Sequence, residues 1–255
     1  ADGIDQIYVG GYVGRGNIAI PGLPYGILEG EVIRRDYGSL DGTDHTQVHW
    51  DDRTNYTPIV NANGGYQFLG YGVIGNPQPD FVYGVTNTLS YKWATLRVQF
   101  DSQVGGDVFS TTNPTLLGRG ILQETDFDRF VPVVTKGLSA DGTPNTTQTT
   151  ANAHYWPNTG VFYDENSIYD ASVMRLREVS LSFVAPKSFL NGTPFGNASL
   201  TLSAQNIWHY AWNTPSGTNF DPEVISYGAG SNARGFDEMT GPTAKKYGAT
   251  LSLTF

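Results

Sequence analysis

The C-terminal segment Lys245–Phe255 has the most restrictive pattern in this chain. Its apolar side chains recur at every second position, at Tyr247, Ala249, Leu251, Leu253 and Phe255. A period of two predicts a β-strand with one apolar face and one polar face. The segment has the length of about 9–11 residues that a tilted strand needs to cross a bilayer, and it ends on an aromatic residue. We therefore interpret it as the closing strand of an outer-membrane β-barrel.

Other segments alternate in the same way. Phe81–Tyr91 and Ala94–Asp101 lie on either side of a Lys92-Trp93 turn, and this arrangement predicts an antiparallel hairpin. Ala171–Ala185 and Ala198–His209 are predicted to form two further strands of the same kind. The expected fold class is therefore all-β, with antiparallel strands, and no helix is predicted.

One of these strands contains a conflict of phase. Arg175 and Arg177 share their parity with the apolar residues Val179, Leu181 and Phe183. A β-bulge near Glu178 would resolve the conflict, because the extra residue reverses the alternation. The alternative is that the two arginines lie above the membrane.

The connections between the strands differ greatly in length. Those at 36–80, 104–170 and 210–243 are long and polar and are predicted to be loops, the first with a short hairpin around Gly65–Val73. Tyr25–Arg35 is predicted to be a strand, and the connections at Lys92-Trp93 and Pro186–Asn197 are short. Short turns on one side and long extracellular loops on the other are typical of outer-membrane barrels.

The composition agrees with this interpretation and excludes several classes of function. Only 15% of the residues are charged, against about 25% in soluble domains. The formal net charge of −9 argues against a nucleic-acid partner, and the lack of cysteine excludes disulfides and thiolate metal sites. No constellation of nucleophile, base and acid is evident, so we do not predict an enzyme.

The number of predicted strands is too small for a complete barrel. We predict about six or seven, whereas single-chain membrane barrels begin at about eight. An open sheet in lipid would leave backbone groups without hydrogen-bond partners, at a cost of several kcal/mol for each. Further strands are therefore expected from N-terminal sequence outside this chain or from partner chains.

Several motifs resemble the SusC/RagA family of TonB-dependent outer-membrane transporters. They are Ile74–Phe81 (IGNPQPDF), Gly105–Phe109 (GGDVF), Arg175–Phe183 with Pro186, Ala204–Trp208 (AQNIW) and Asp221–Val224 (DPEV). They occur in the order and with the spacing of the family from about residue 74 onward. The chain departs from the family in one place, where Asp41–Asp44 and Asn61–Gly64 stand instead of an acidic Asn-Gly-Asp-Gly-like stretch.

The resemblance implies a fold and a function. It implies that residues 1–255 are the C-terminal portion of a barrel of about 22 strands, with the plug domain and the N-terminal strands outside this chain. It further implies uptake of oligosaccharides or peptides across the outer membrane of a Gram-negative bacterium. The implied partners are a SusD-like lipoprotein, the TonB complex and the lipid bilayer.

Aromatic residues are the main candidates for sites. Tyr91, Trp93, Trp208, Tyr210 and Phe255 are predicted to be membrane-interface side chains at the ends of the strands. The predicted ligand contacts are Tyr155 and Trp156, in a long loop, and Trp212. For Trp208, Tyr210 and Trp212, an aromatic girdle is favoured over a platform that stacks on sugar rings.

No metal site is predicted. Asp41, Asp44, Asp51 and Asp52 could bind calcium, which prefers oxygen ligands. Their spacing does not match a calcium-binding loop, so a solvated acidic loop is favoured. The four histidines are scattered, and a zinc site is rejected.

Two other functions stay open at this point. One is a soluble β-sandwich carbohydrate-binding module, because alternating strands are expected there too. The other is a surface protein that assembles with copies of itself. A sandwich would bury the apolar faces of the strands, whereas a membrane barrel would turn Leu96, Val98, Phe100, Leu200, Leu202, Leu251 and Leu253 outward.

Overall fold

Antiparallel β-sheets account for most of the regular structure. The computed structural model describes residues 5–38, 49–214, 218, 221–223, 232–241 and 243–255. Two units are present: the first comprises residues 1–78, 106–171 and 213–241, and the second residues 79–105, 172–212 and 242–255. No helix in the described ranges is long and apolar enough to cross a membrane.

The strands and helices of the described residues are as follows. The strands are β1 (Ile7–Tyr12), β2 (Arg15–Ala19), β3 (Ile27–Ile33), β4 (Arg35–Asp36), β5 (Thr57–Pro58), β6 (Phe68–Gly75), β7 (Phe81–Tyr91), β8 (Ala94–Val104), β9 (Asp107–Ser110), β10 (Val133–Val134), β11 (Gln148–Thr149), β12 (Ile168–Asp170), β13 (Val173–Val184), β14 (Asn197–Tyr210), β15 (Phe236–Asp237) and β16 (Lys246–Thr254). The helices are α1 (Thr112–Gly118), α2 (Ala151–Tyr155) and α3 (Lys187–Leu190), and short 3-10 segments lie at Trp50–Asn55, Gln123–Thr125 and Asp164–Ser167.

The second unit is built on one five-stranded antiparallel sheet with the order β16-β14-β13-β8-β7. The predicted hairpin is confirmed: β7 and β8 pair in register up to Tyr91 opposite Ala94. Lys92 turns the chain with a φ of 52°, and its Nζ lies 5.2 Å from the centre of the Tyr91 ring. The predicted closing strand is β16, which pairs with β14.

The predicted bulge is also confirmed. On β13, Leu176 pairs with Phe100, but the next paired residue is Glu178, opposite Gln99. Arg177 is therefore the extra residue, and the alternation reverses across it. Its guanidinium donates two hydrogen bonds of 2.7 Å to the carboxylate of Asp101, which lies on the polar face of the sheet.

The first unit contains a four-stranded antiparallel sheet with the order β1-β2-β3-β6. The expected local hairpin around Gly65–Val73 is wrong: this segment supplies β6, which pairs with the distant strand β3. Most of β3 is buried, so it needs partners on both sides. Local pairing is limited to an antiparallel bridge between Val60 and Tyr66, just before β6, and β6 itself takes its partner from a distant part of the chain.

The first unit also has a hydrophobic core. Leu28, Val32 and Ile74 pack with Phe109 and Phe236, and the last two rings lie 5.6 Å apart. Phe109 and Phe236 come from β9 and β15, which pair in parallel beside β12. The segments predicted to be long loops thus contain regular structure and supply core residues.

Two adjacent acidic residues connect distant segments of the first unit. Asp164 accepts hydrogen bonds of 2.5 and 3.0 Å from the guanidinium of Arg15 and one of 3.1 Å from the Glu31 backbone N–H. Glu165 forms ion pairs with Arg35, at 2.5 Å, and with Arg53, at 3.6 Å. The 3-10 segment that carries both carboxylates is thereby fixed against β2, β3 and β4.

Candidate functional site

The five-stranded sheet has an apolar face that is exposed. Cross-strand pairs align Phe183 with Leu200 and Leu200 with Leu251. Leu251 is 65% exposed and Leu202 is 44% exposed. The other exposed members of this face include Val85, Leu89, Phe100 and Leu253. A contiguous apolar surface of this kind marks contact with lipid or with a partner, and a sandwich, which would bury it, is not favoured.

The opposite face of the sheet is polar. It carries Asp101 and Arg177, whose ion pair at 2.7 Å is only partly exposed, and Arg177 also reaches the side-chain oxygen of Asn206 at 3.5 Å. Ser182 and Thr201 pair across β13 and β14, with their hydroxyls 2.9 Å apart. The sheet therefore separates an apolar environment from one that suits charged groups.

Aromatic side chains border the apolar face at both ends. Near the short connections, the rings of Trp93 and Phe183 are 5.6 Å apart, and Phe255 packs on Phe195 at 5.2 Å. At the far end of β14, Tyr210 lies 6.4 Å from Trp208 and from Trp212. The assignment of Tyr91, Trp93, Trp208, Tyr210 and Phe255 to a membrane interface stays a prediction, but their positions at the two ends agree with it.

The distance between the two aromatic borders of the sheet matches the height of the apolar band of an outer-membrane barrel. Between Met174 and Phe183, β13 extends for about 30 Å at roughly 3.3 Å per residue. A tilt of about 35–45° would reduce this to about 21–25 Å across the membrane, and the apolar band of outer-membrane barrels is about 25 Å tall.

Tyr155 and Trp156 lie at the end of α2 in the first unit. The ring of Tyr155 stacks on Phe162 at 6.2 Å and meets His154 edge-on at 4.7 Å. Burial lowers the pKa of His154, whose Nδ1 lies 3.0 Å from the Thr135 hydroxyl. Tyr155 borders a cavity of about 90 Å³ and Trp156 is exposed, so both are accessible, whereas the predicted contact Trp212 belongs to the second unit.

The acidic residues considered for calcium do not form a site in the described part of the chain. Asp41, Asp44 and His45 lie outside the described residues. Asp51 and Asp52 stand in the first turn of the 3-10 segment Trp50–Asn55. Among the described residues no group of three or more acidic or histidine side chains could hold a metal ion.

Sequence reasoning missed two groups of residues. One is the set of buried charges around Asp164 and Glu165; the rarity of charge in this chain could have indicated that an adjacent acidic pair needs cationic partners. The other is the stacked pair His49 and Trp50, with ring centres 3.8 Å apart. It directly precedes Asp51 and Asp52, for which the sequence suggests calcium as the one candidate ligand.

Comparison with known proteins gives consistent results. No protein-family model matches the chain. The sequence is 27% identical over 213 residues to TonB-dependent receptor P3 of Formosa agariphila, and 25% identical over 194 residues to TonB-dependent receptor P26 of the same organism. These alignments cover 77% and 72% of the chain but only 18% of either relative.

Solved structures show the same fold. The RagAB peptide importer in its closed-closed state matches 99% of this chain with a TM-score of 0.55 at 18% identity. Its open-open state matches with the same score. The chain corresponds to about a quarter of that protein, since 25% of the matched RagAB chain is covered.

Proposed function

We propose that this chain, which is a fragment of a SusC/RagA-type TonB-dependent transporter, supplies wall strands and extracellular loops to an outer-membrane importer. The observation that carries the proposal is the exposed apolar face of the five-stranded sheet, with its polar opposite face and its aromatic borders. We assign no catalytic role to the chain. The polar face would line the lumen of the barrel, where the Asp101–Arg177 pair is hydrated rather than exposed to lipid.

The edges of the sheet support the proposal of a larger barrel. In the order β16-β14-β13-β8-β7, the strands β16 and β7 are each paired on one side only, as far as the described residues show. In lipid, each unpaired backbone group would cost several kcal/mol, so both edges need further strands. Strands from elsewhere in the complete protein would close the barrel, which we propose has about 22 strands.

The long connections between the strands of the five-stranded sheet are proposed to be extracellular. Residues 106–171 connect β8 to β13, and residues 213–241 lie between β14 and β16. Both leave the sheet at the end opposite to the short connections around Lys92 and Pro186. Because short turns face the periplasm in outer-membrane barrels and long loops face outward, we expect these long connections to face the extracellular side.

The partners and cargo follow from the same proposal. The structural neighbours are described as a peptide importer, so peptide uptake is one candidate, and uptake of oligosaccharides is the other. We propose that a SusD-like lipoprotein assembles on the extracellular side and that the TonB complex supplies energy. The exposed candidates Tyr155, Trp156 and Trp212 are proposed contacts for this substrate or lipoprotein.

Site-directed spin labelling tests the membrane assignment. The chain contains no cysteine, so once any cysteine elsewhere in the complete protein has been replaced, single nitroxides can be placed at Leu202 and Leu251 on the apolar face and at Ser203 and Ser252 on the polar face. In the complete protein reconstituted in bilayers, the first two should be accessible to oxygen and the last two to a water-soluble nickel complex. Equal access of the nickel complex to all four positions would contradict the proposal.

A transport assay tests the importer itself. Labelled peptides and oligosaccharides would be offered to cells that carry the complete protein, with and without an active TonB complex. We expect uptake of one class only, and only with TonB active. Uptake that is independent of both the protein and TonB would refute the importer.

A further inference from the structure

A cavity in the first unit combines aromatic and acidic side chains. It has a volume of about 570 Å³ and lies beside β2, β3, β6 and the 3-10 segment Trp50–Asn55. Its lining includes Asp5, Gln6, Glu29, His49, Trp50 and Tyr71. Ligand-binding pockets in proteins measure about 300–1,000 Å³, so this cavity can hold a sugar residue or one or two amino-acid residues.

The aromatic lining is held in place by neighbouring contacts. His49 and Trp50 stack with their rings 3.8 Å apart and inclined by 27°. Tyr71 is packed edge-on against Phe68 at 5.4 Å. It is also contacted by the turn at Gly14, where φ is 82° and a Cβ would come within 2.8 Å of the ring. The rings are therefore positioned before any ligand arrives.

The acidic lining carries charge that the cavity does not neutralise. Glu29 is only 4% exposed, and its carboxylate accepts hydrogen bonds of 3.1 Å from the Gly14 N–H and from the side-chain amide of Gln6. Both donors are uncharged. Asp5 adds a second carboxylate, and the described lining residues include no lysine or arginine. Burial of a carboxylate without a cation is costly, so a cationic ligand would be favoured here.

We propose that this cavity binds a protonated amine, as carried by a lysine side chain or by an amino sugar. Aromatic faces attract cations through the ring quadrupole, and a carboxylate forms charge-assisted hydrogen bonds with an ammonium group. An anionic ligand would be repelled by the same two carboxylates. The proposal names a ligand class for the importer and in that respect rests on the proposed function.

The test measures binding directly on the complete protein in detergent micelles by titration calorimetry. Glucosamine is compared with N-acetylglucosamine, and N-terminally acetylated Gly-Lys-Gly with the same peptide acetylated also on the lysine side chain. Within each pair acetylation removes the positive charge on nitrogen and adds only a small uncharged group. We expect the charged member of at least one pair to bind on the order of tenfold more tightly, with an affinity that falls as salt is added. Which pair responds distinguishes an amino sugar from a peptide.

Variants assign the binding to this cavity. Trp50→Ala and Asp5→Asn should each weaken binding of the charged probe by roughly 3- to 30-fold. Phe130→Ala, which removes an aromatic ring that is 96% exposed and lies outside the cavity, should leave it unchanged. Glu29→Gln should also weaken binding, and its amide hydrogen exchange would show whether the β2–β3 pairing is retained.

Two results would overturn the inference: equal affinity for the charged and acetylated probes, or undiminished binding in both Trp50→Ala and Asp5→Asn. Neither result bears on the spin-label accessibility of Leu202 and Ser203. If the sheet faces lipid but no amine binds, only the inference about the cavity is refuted. Amine binding together with a hydrated apolar face would instead remove the importer and leave the cavity assignment standing.

Discussion

Substitution of Glu165 by glutamine should destabilise the first unit, because it removes the carboxylate that two buried arginines share. The side chains of Glu165, Arg35 and Arg53 are 6%, 7% and 2% exposed. Arg35 Nη2 lies 2.5 Å from one carboxylate oxygen, and Arg53 Nη1 lies 3.6 Å from the other. The amide of glutamine has the same shape but no charge, so both guanidiniums would lose the attraction of this shared carboxylate while still buried.

The magnitude follows from the burial of these charges. Removal of one member of a buried ion pair costs about 3–5 kcal/mol, because the remaining charge has lost its compensation and cannot reach water. Arg35 keeps its 3.2 Å hydrogen bond to the Tyr56 carbonyl, which compensates only in part. The lower end of this range corresponds to an increase on the order of 10²-fold in the population of the open form.

Hydrogen–deuterium exchange on the complete protein in detergent micelles can measure this change. Peptides that contain β3, β4 and the segment Trp50–Asn55 should exchange on the order of 10²–10³-fold faster in the variant. Peptides from the five-stranded sheet report on the second unit and provide an internal reference. The method avoids global unfolding, which is often irreversible for large proteins.

A matched control separates the ion pair from the chemistry of the substitution. Glu124 also lies in a 3-10 segment of the first unit but is exposed, so Glu124→Gln should change stability by less than about 0.5 kcal/mol. Combined replacement of Arg35, Arg53 and Glu165 by apolar residues should recover much of the loss, since a buried ion pair is often no more stabilising than apolar packing. The reasoning is refuted if Glu165→Gln exchanges no faster than Glu124→Gln.

Three further predictions concern other charges and the apolar face. Burial raises the pKa of Asp107 to about 6, so ionisation of this carboxyl group destabilises the fold as the pH rises from about 4 to about 6. In thermal unfolding, Asp107→Asn should therefore raise the stability by about 1–3 kcal/mol at pH 7 and leave it unchanged at pH 4. A double-mutant cycle with Asp101→Asn and Arg177→Gln should show a coupling of about 1 kcal/mol, and additive effects would contradict a stabilising ion pair between these two side chains. Leu202→Arg should cost about 2–4 kcal/mol in urea unfolding from liposomes, whereas Ser203→Arg on the polar face should cost much less.

The strands of the second unit could be predicted from the sequence because the alternation of side chains in each strand reflects the environment of its two faces. Alternation in Phe81–Tyr91 and Lys245–Phe255 specifies which side chains meet the apolar medium, and this information is local. The structure confirms these strands and their antiparallel pairing. The phase conflict at Arg177 was local too, and for that reason the bulge could be anticipated.

The first unit could not be predicted in this way. Its polar segments have no sustained period of apolar residues. The strands β9 and β15 are short, and their residues Phe109 and Phe236 are stabilised by packing with core residues from distant parts of the chain. Segment Phe68–Gly75 pairs with β3 rather than with its sequence neighbours. The sequence predicted loops there because short strands gain their stability from long-range contacts, which leave little trace in a local pattern.

The candidate sites can be divided in the same way, into those that a local sequence pattern predicts and those that depend on contacts between distant segments. The sequence by itself determined the apolar and polar faces of the sheet and the aromatic residues at its ends, because alternation and strand length are properties of a single strand. Only the tertiary structure decided that Asp164 and Glu165 bind arginines from distant segments, and that Glu29, Trp50 and Tyr71 line one cavity. These groups lie far apart in the sequence, and their roles depend on burial and proximity, which arise only when the chain folds.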